Sequence, residues 1–309
     1  MITAGSSVCG SSVCGGGAEV VKLNNVENRS GKILIIGAGL SGRIAKYIFG
    51  DNALLCGKLD FPNPINCLYS NSWLDDEITN KSIVISKEVL PLGTGKLPFM
   101  QEYLRKTIGD FMPEDDIPTS FGAARKTAFI INENLLPMPD FPILPVSISD
   151  KSVTMKGGQV INFDVLISTI PIHELLELFS NVPDFDYRLE SYRVGLRVAS
   201  SDLNSDMMQI LYCCDDSRPY YKIIDYNNKI VYKYSEATEP DKFDERDYDI
   251  VLKDGRILWN EEQPLIAGWL QSKNIYCLGR TAQWNPRVRI EDVWHRASRL
   301  RNDLVGKNG

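Results

Sequence analysis

The clearest pattern along this chain is an apolar run that ends in glycine. Ile33, Leu34, Ile35 and Ile36 are consecutive aliphatic residues, the mark of a parallel strand buried on both faces. Gly37-Ala38-Gly39-Leu40-Ser41-Gly42 follows. Beyond it Leu40, Ile44, Tyr47 and Ile48 share one face of a helix that runs to about Phe49. Ala53–Cys56 reads as the next strand, and Ser82–Ile85 and Thr127–Ile131 as two more. Pro98–Thr107 has helical spacing, and residues 109–122 read as an exposed connection. Residues 136–146 hold four prolines and must be extended or turning.

Lys151–Phe163 reads as a β-hairpin: SVTM alternates, Gly157-Gly158 turns and QVINF returns. Asp164–Thr169 is again a run of the buried parallel type. Ile170-Pro171-Ile172 follows, then a short helix, His173–Phe179, with Leu175, Leu176 and Phe179 inward. Arg193–Ala199 alternates and Met208–Cys213 is apolar. Tyr220–Asp225 and Lys229–Tyr234 form a hairpin with Asn227-Asn228 at its turn. Residues 239–263 are acidic and read as exposed. Asn274–Leu278 is a last short buried strand, and a helix follows from about Val288 to Asn302.

The turn at Gly37–Gly42 fits G-x-G-x-x-G, and its place between a strand and a helix gives it a meaning. Gly37 permits the sharp turn, Gly39 lets a pyrophosphate approach the backbone, and Gly42 lets helix and strand pack closely. The free N–H groups at the start of the helix then face the phosphate charge. A dinucleotide fold of this kind usually carries an acid on the ribose after its second strand. Here that strand ends in Gly57-Lys58, and Asp60 is the nearest acid. Either Asp60 reaches the ribose through an irregular loop or the contact is absent. Lys58 is a surface lysine or a partner for a phosphorylated ribose.

Composition narrows the function classes. With 34 basic and 40 acidic residues the net charge is −6, which gives no overall electrostatic footprint for nucleic acid or an anionic membrane. No apolar run reaches the length of a membrane span, and no signal peptide precedes the first strand. Seven cysteines without paired spacing suggest reduced thiols and a cytoplasmic location. The vicinal Cys213 and Cys214 would point to opposite faces of a strand, which argues against a redox pair. Only His173 and His295 are present, so neither a histidine-based metal site nor a Ser-His-Asp triad is supported. Residues 1–30 differ from the rest: GSSVC occurs twice in tandem, ending at Cys9 and Cys14, before three glycines. This composition reads as a flexible tail.

Three separated stretches carry a resemblance. GAGLSG at Gly37–Gly42, FDVLISTIPIHELLELF at Phe163–Phe179 and NIYCLGRTAQWNPRVRIEDVW at Asn274–Trp294 stand in the order found in the flavin-binding amine-oxidase-like superfamily. Within it the chain resembles the UDP-galactopyranose mutase and protoporphyrinogen-oxidase-like branches, and RPYYKIIDYNN at Arg218–Asn228 is similar to the mutases' substrate-side strand. The resemblance implies an α/β fold with a Rossmann-like FAD-binding domain of non-contiguous pieces, residues 31–60, 150–180 and 265–309. A second, smaller α+β substrate lobe would hold residues 61–149 and 181–264. It implies FAD rather than NAD(P) as cofactor, with Gly37, Gly39, Leu40, Ser41, Gly42, Asp60, Thr169, Gly279, Arg280, Arg289 and Ile290 as its contacts. The last helix would aim its N–H groups at the N1–C2=O edge of the flavin. Arg280 would bind pyrophosphate or substrate, with a surface ion pair as the alternative. Trp284 would flank the ring or fill the core.

No residue in this sequence stands out as an acid or base. Tyr220, Tyr221 and Arg193 are the candidates for the substrate face, and alternation sends the two tyrosines to opposite sides. The implied activity is an FAD-dependent oxidation of a small amine-containing substrate. A redox-neutral sugar-nucleotide mutase and a non-catalytic flavin-fold protein are the alternatives. The expected partner is a small molecule rather than nucleic acid or membrane.

Overall fold

The computed structural model describes residues 33–59, 63–65, 67–90, 103, 106, 124–185, 189–202, 207–214, 218–238, 240–258 and 263–305. The expected tail, Asp60, the connection at 109–122 and all of Pro98–Thr107 except Tyr103 and Lys106 lie outside the described residues. What is described is a mixed α/β fold with three sheets.

The first sheet has four parallel strands in the order β15-β9-β1-β2. Its centre is β1 (Ile33–Ile36), flanked by β2 (Ala53–Cys56) and β9 (Val165–Ser168), with β15 (Ile275–Cys277) at the edge. All four residues of β1 are buried, as a continuous aliphatic run on both faces requires. Helix α1 (Leu40–Phe49) crosses from β1 to β2, and α4 (Ile290–Val305) packs beside it, with the Tyr47 and Trp294 rings 5.9 Å apart. Ile44, Ala45 and Phe49 of α1 share a core with Val293 and Ala297 of α4. The pieces that build this sheet are far apart in sequence, and the expected last strand lies within it.

The second sheet has eight strands in the order β14-β10-β13-β12-β11-β4-β5-β3. These are β3 (Leu68–Ser70), β4 (Lys81–Leu90), β5 (Ala124–Ile131), β10 (Ser191–Ser200), β11 (Met207–Cys213), β12 (Lys222–Tyr226), β13 (Lys229–Ser235) and β14 (Ile250–Ile257). The hairpin of β12 and β13 turns at Asn227 and Asn228, with φ of 54° and 61°, the left-handed pair that asparagine tolerates. This sheet is the largest of the three. Residues 239–263 depart from expectation. Their acids flank β14, an edge strand whose Ile257 is buried, and α3 (Gln263–Ser272) begins at their end.

A three-stranded meander completes the fold: β6 (Pro145–Ile148), β7 (Ser152–Met155) and β8 (Val160–Asn162). It turns at Gly157-Gly158 and delivers the chain into β9. After β9 comes α2 (Ile172–Glu177), with Leu175 and Leu176 buried. The five described cysteines are free thiols, and Cys213 and Cys214 are both buried. Among the described residues no helix is long and apolar enough to cross a membrane, and no cluster of three metal-ligating side chains occurs.

Candidate functional site

The turn between β1 and α1 is built from backbone. Gly37 has φ +99°, and a Cβ there would lie 2.5 Å from the Thr169 hydroxyl. A Cβ on Gly42 would run into the Gly37 carbonyl oxygen. Gly39 differs: a Cβ there would meet nothing within 4 Å, so its face is open. It stands at the N-cap of α1 with no side chain capping the helix and no acid in the first turn. The first N–H groups of α1 therefore present partial positive charge to open space. A glycine face with room before it, at an uncapped helix start, fits the pyrophosphate of a dinucleotide.

The residues around this turn have separate tasks. Leu40 packs into the core beneath it. The Ser41 hydroxyl is the atom that a Cβ on Gly279 would approach to 2.7 Å, so at Gly279, with φ +102°, the chain after β15 passes close against α1. Thr169 Oγ1 lies 3.1 Å from the Ile36 carbonyl oxygen and 2.8 Å from that of Gly37. Its one hydroxyl hydrogen holds the turn from behind.

A second region lies on one face of the eight-stranded sheet, and the sequence reading missed it. Lys222 and Lys233 are directly paired across β12 and β13, which puts their Cβ atoms about 5 Å apart. They share that face with Ile224 and Val231 of the core. Tyr212, opposite Lys222 on β11, has the lysine ammonium over its ring at 5.2 Å. Arg256 on β14 lies over Tyr221 at 5.0 Å and donates to the Tyr103 hydroxyl at 3.1 Å. Lys87 and Lys126 continue the row on β4 and β5. Among the described residues none of Lys222, Lys233, Arg256 and Arg280 forms an ion pair with a carboxylate.

The crowding of cations registers in their acidities. Burial, then Lys233 and Arg256, hold Lys222 well below the ordinary lysine value. Burial, then Arg256 and Arg280, push Lys233 down to about 8. Desolvation, then Lys126 and Arg289, lower Lys87. Arg280 is open to solvent, yet desolvation, followed by Arg256, lowers it too. Arg280 donates to the Gly255 carbonyl oxygen at 3.4 Å and, among the described residues, is in no ion pair.

Two of the expected substrate residues, Arg193 and Tyr220, lie away from this face. Arg193 is bound to Glu236 at 2.6 Å and Glu245 at 2.7 Å and stacks on Phe243. Tyr220 packs on Tyr232 and Tyr234, on the face of β13 opposite Lys233. Alternation parts Tyr220 from Tyr221 as expected, and only Tyr221 reaches the cationic side. Trp284 is wholly buried, at φ 44°, with its ring edge-on to His173 at 5.5 Å; it flanks no open surface. At the last helix the Arg289 N–H is already taken by Asp292 Oδ2 at 2.8 Å, which leaves Ile290 and Glu291 to offer theirs.

No family model matches the chain, and no curated protein matches it. Solved structures do share its fold. A reduced UDP-galactopyranose mutase aligns with TM-score 0.63 at 14% identity, covering 91% of this chain and 95% of its own. A conjugated-linoleic-acid-producing fatty acid isomerase from P. acnes aligns with TM-score 0.55 at 11% identity, over 88% and 98%. A tryptophan halogenase from Shewanella frigidimarina aligns with TM-score 0.50 at 11% identity, over 89% and 71%. The chain thus has the mixed α/β fold that these enzymes share.

Proposed function

We propose that this protein is an FAD-dependent enzyme whose substrate carries negative charge. The observation that carries the cofactor is the open face of Gly39 at an uncapped helix start, braced from behind by Thr169. The fold shared with the mutase, the isomerase and the halogenase supports the same reading. Bound FAD supplies a ring that accepts and returns electrons or forms a covalent bond to substrate. The chain's own part is to hold it. The α1 N-terminus takes the pyrophosphate, Gly279 gives the chain after β15 room beside Ser41, and the start of α4 offers N–H groups to the ring.

The substrate side follows from charge. Lys222 and Lys233 are desolvated and crowded by Arg256 and Arg280 with no ion pair among them, a costly arrangement for the two lysines that an anionic ligand relieves. An amine-oxidase-like reaction would bring a protonated amine to this face, against like charge. The row of cations therefore favours a phosphorylated or carboxylated substrate over an amine. A redox-neutral rearrangement is the second reading, supported by the likeness of fold to a mutase and an isomerase.

The test begins with the purified protein. It should be yellow or take up FAD to one equivalent, and added inorganic pyrophosphate should then raise its melting temperature while a simple alkylamine does not. A colourless chain that takes up no FAD ends the cofactor reading. A flavoprotein indifferent to pyrophosphate and to dicarboxylates ends the substrate reading alone.

A further inference from the structure

A cleft of about 580 Å³ opens at the start of α4, between Asn71 and Ser72 on one side and Arg287, Arg289 and Glu291 on the other. Glu291 is 9% exposed. Its Oε1 accepts two hydrogen bonds from Asn71, from the backbone N–H at 3.2 Å and the side-chain amide at 2.7 Å. Lys126 donates to the oxygen of that same amide and so fixes which way it faces. The other carboxylate oxygen, Oε2, is buried and has no partner. Capping does not explain Glu291, because Asp292 already takes the Arg289 N–H.

A buried acceptor without a donor is costly and calls for an explanation. The chemistry of the cleft says which ligand would supply the donor. Glu291 and the first turn of α4, with its N–H donors, both border the cleft. Its complement is a group with an N–H flanked by carbonyl oxygens. A phosphate or carboxylate offers no such hydrogen to Oε2.

We infer that Glu291 accepts the hydrogen bond of the flavin N3–H, with the α4 N–H groups facing the neighbouring carbonyl of the same pyrimidine ring edge; this rests on the FAD reading above. The consequence is electronic as well as geometric. A carboxylate at that edge disfavours negative charge on the reduced ring. Glu291 thus lowers the flavin potential, while the helix N-terminus raises it.

The test compares FAD with its N3-methyl analogue, which lacks the hydrogen, on wild type and on Glu291→Ala. Wild type should prefer FAD by about tenfold or more, the size of one charge-assisted hydrogen bond, and the variant should bind both within about twofold. Glu291→Gln keeps an acceptor for Asn71 and gives the same readout if the alanine variant does not fold. Its flavin should also show a raised midpoint potential. If wild type holds FAD and discriminates no more than the variant, the Glu291 assignment falls and the FAD reading stands. If wild type binds neither flavin, both fall together.

Discussion

The glycine turn and the cationic face are both polar regions set on buried sheets, and they are made in opposite ways. The turn uses backbone: three glycines in six residues, one threonine bracing them, and helix N–H groups as the recognising element. Its charge is partial, fixed in place and largely desolvated already. The cationic face uses long side chains from five strands and the loop after β15, Lys87, Lys126, Lys222, Lys233, Arg256 and Arg280. Its charges are carried on side chains, and burial opposes the charged form of each of its four lysines. The first region should therefore be rigid and little affected by its ligand. The second should gain stability when an anion arrives. Cofactor and substrate would then differ in what they do to the protein, not only in where they bind.

The sharpest way to break this comparison lies inside the turn. Gly42→Val places a side chain against the Gly37 carbonyl, where the neighbour is backbone and cannot give way. We expect a loss of about 3 kcal/mol or more, with the melting temperature lowered roughly 6–12 °C, whether or not FAD is present. Gly39→Val meets open space and has ordinary extended backbone at φ −67°. The apo-protein should melt within about 1 kcal/mol of wild type and retain no FAD. Paired melting and FAD-retention measurements on the two variants decide it. If Gly39→Val holds FAD as wild type does, the pyrophosphate does not lie at this turn.

Why one region was readable in the sequence and the other was not follows from how each is made. The turn is contiguous: Ile33–Ile36, Gly37–Gly42 and the helical face of Leu40, Ile44 and Ile48 state strand, turn and helix within seventeen residues, Ile33–Phe49. The hairpins at Gly157-Gly158 and Asn227-Asn228 were legible for the same local reason. The cationic face depends on pairing between β14, β13, β12, β11, β4 and β5, which no short-range pattern states. One signal was present. With a two-residue turn at Asn227-Asn228, Lys222 and Lys233 fall opposite each other in line with Ile224 and Val231, so the alternation already pointed two lysines inward. The strand β14 was hidden by the acids around it. Glu291 was hidden because a glutamate in a first helical turn is ordinary. Only its orphaned oxygen marks it out.

The cationic face gives a prediction in pH. The folded value of Lys233, about 8, lies below its ordinary 10.5. Between these values the unfolded chain binds the proton that the folded chain has released, so stability of the ligand-free protein rises with pH across that window. The penalty is fully present below pH 8 and amounts to at most about 3 kcal/mol. Lys233→Met should raise the melting temperature at pH 7 and flatten the rise between pH 8 and 10.5. Pyrophosphate should also flatten it in wild type, because a bound anion holds the lysine protonated. Melting curves across that range, with and without pyrophosphate, check both. Identical pH profiles for wild type and variant would mean that Lys233 is not an unpaired, desolvated cation.

The smallest expected effect sharpens the comparison from its far side. Arg193 is a cation of the same sheet, but it projects from β10 with its charge met by Glu236 and Glu245 and its plane laid over Phe243. The Glu236 carboxylate, bonded to Arg193 through both side chain and backbone, is held below its ordinary value. Its pairs are partly exposed, so they add little, about 1 kcal/mol or less. Arg193→Met should lower the melting temperature by no more than about 4 °C, with a loss that shrinks in high salt. It should leave FAD retention and the response to pyrophosphate as they are in wild type. The contrast with Lys233→Met is then one of sign: removing the paired cation costs stability, and removing the unpaired one restores it. If Arg193→Met abolishes the pyrophosphate response, the anion binds on the opposite face of the sheet, and the division of this sheet into a binding face and a supporting face is wrong.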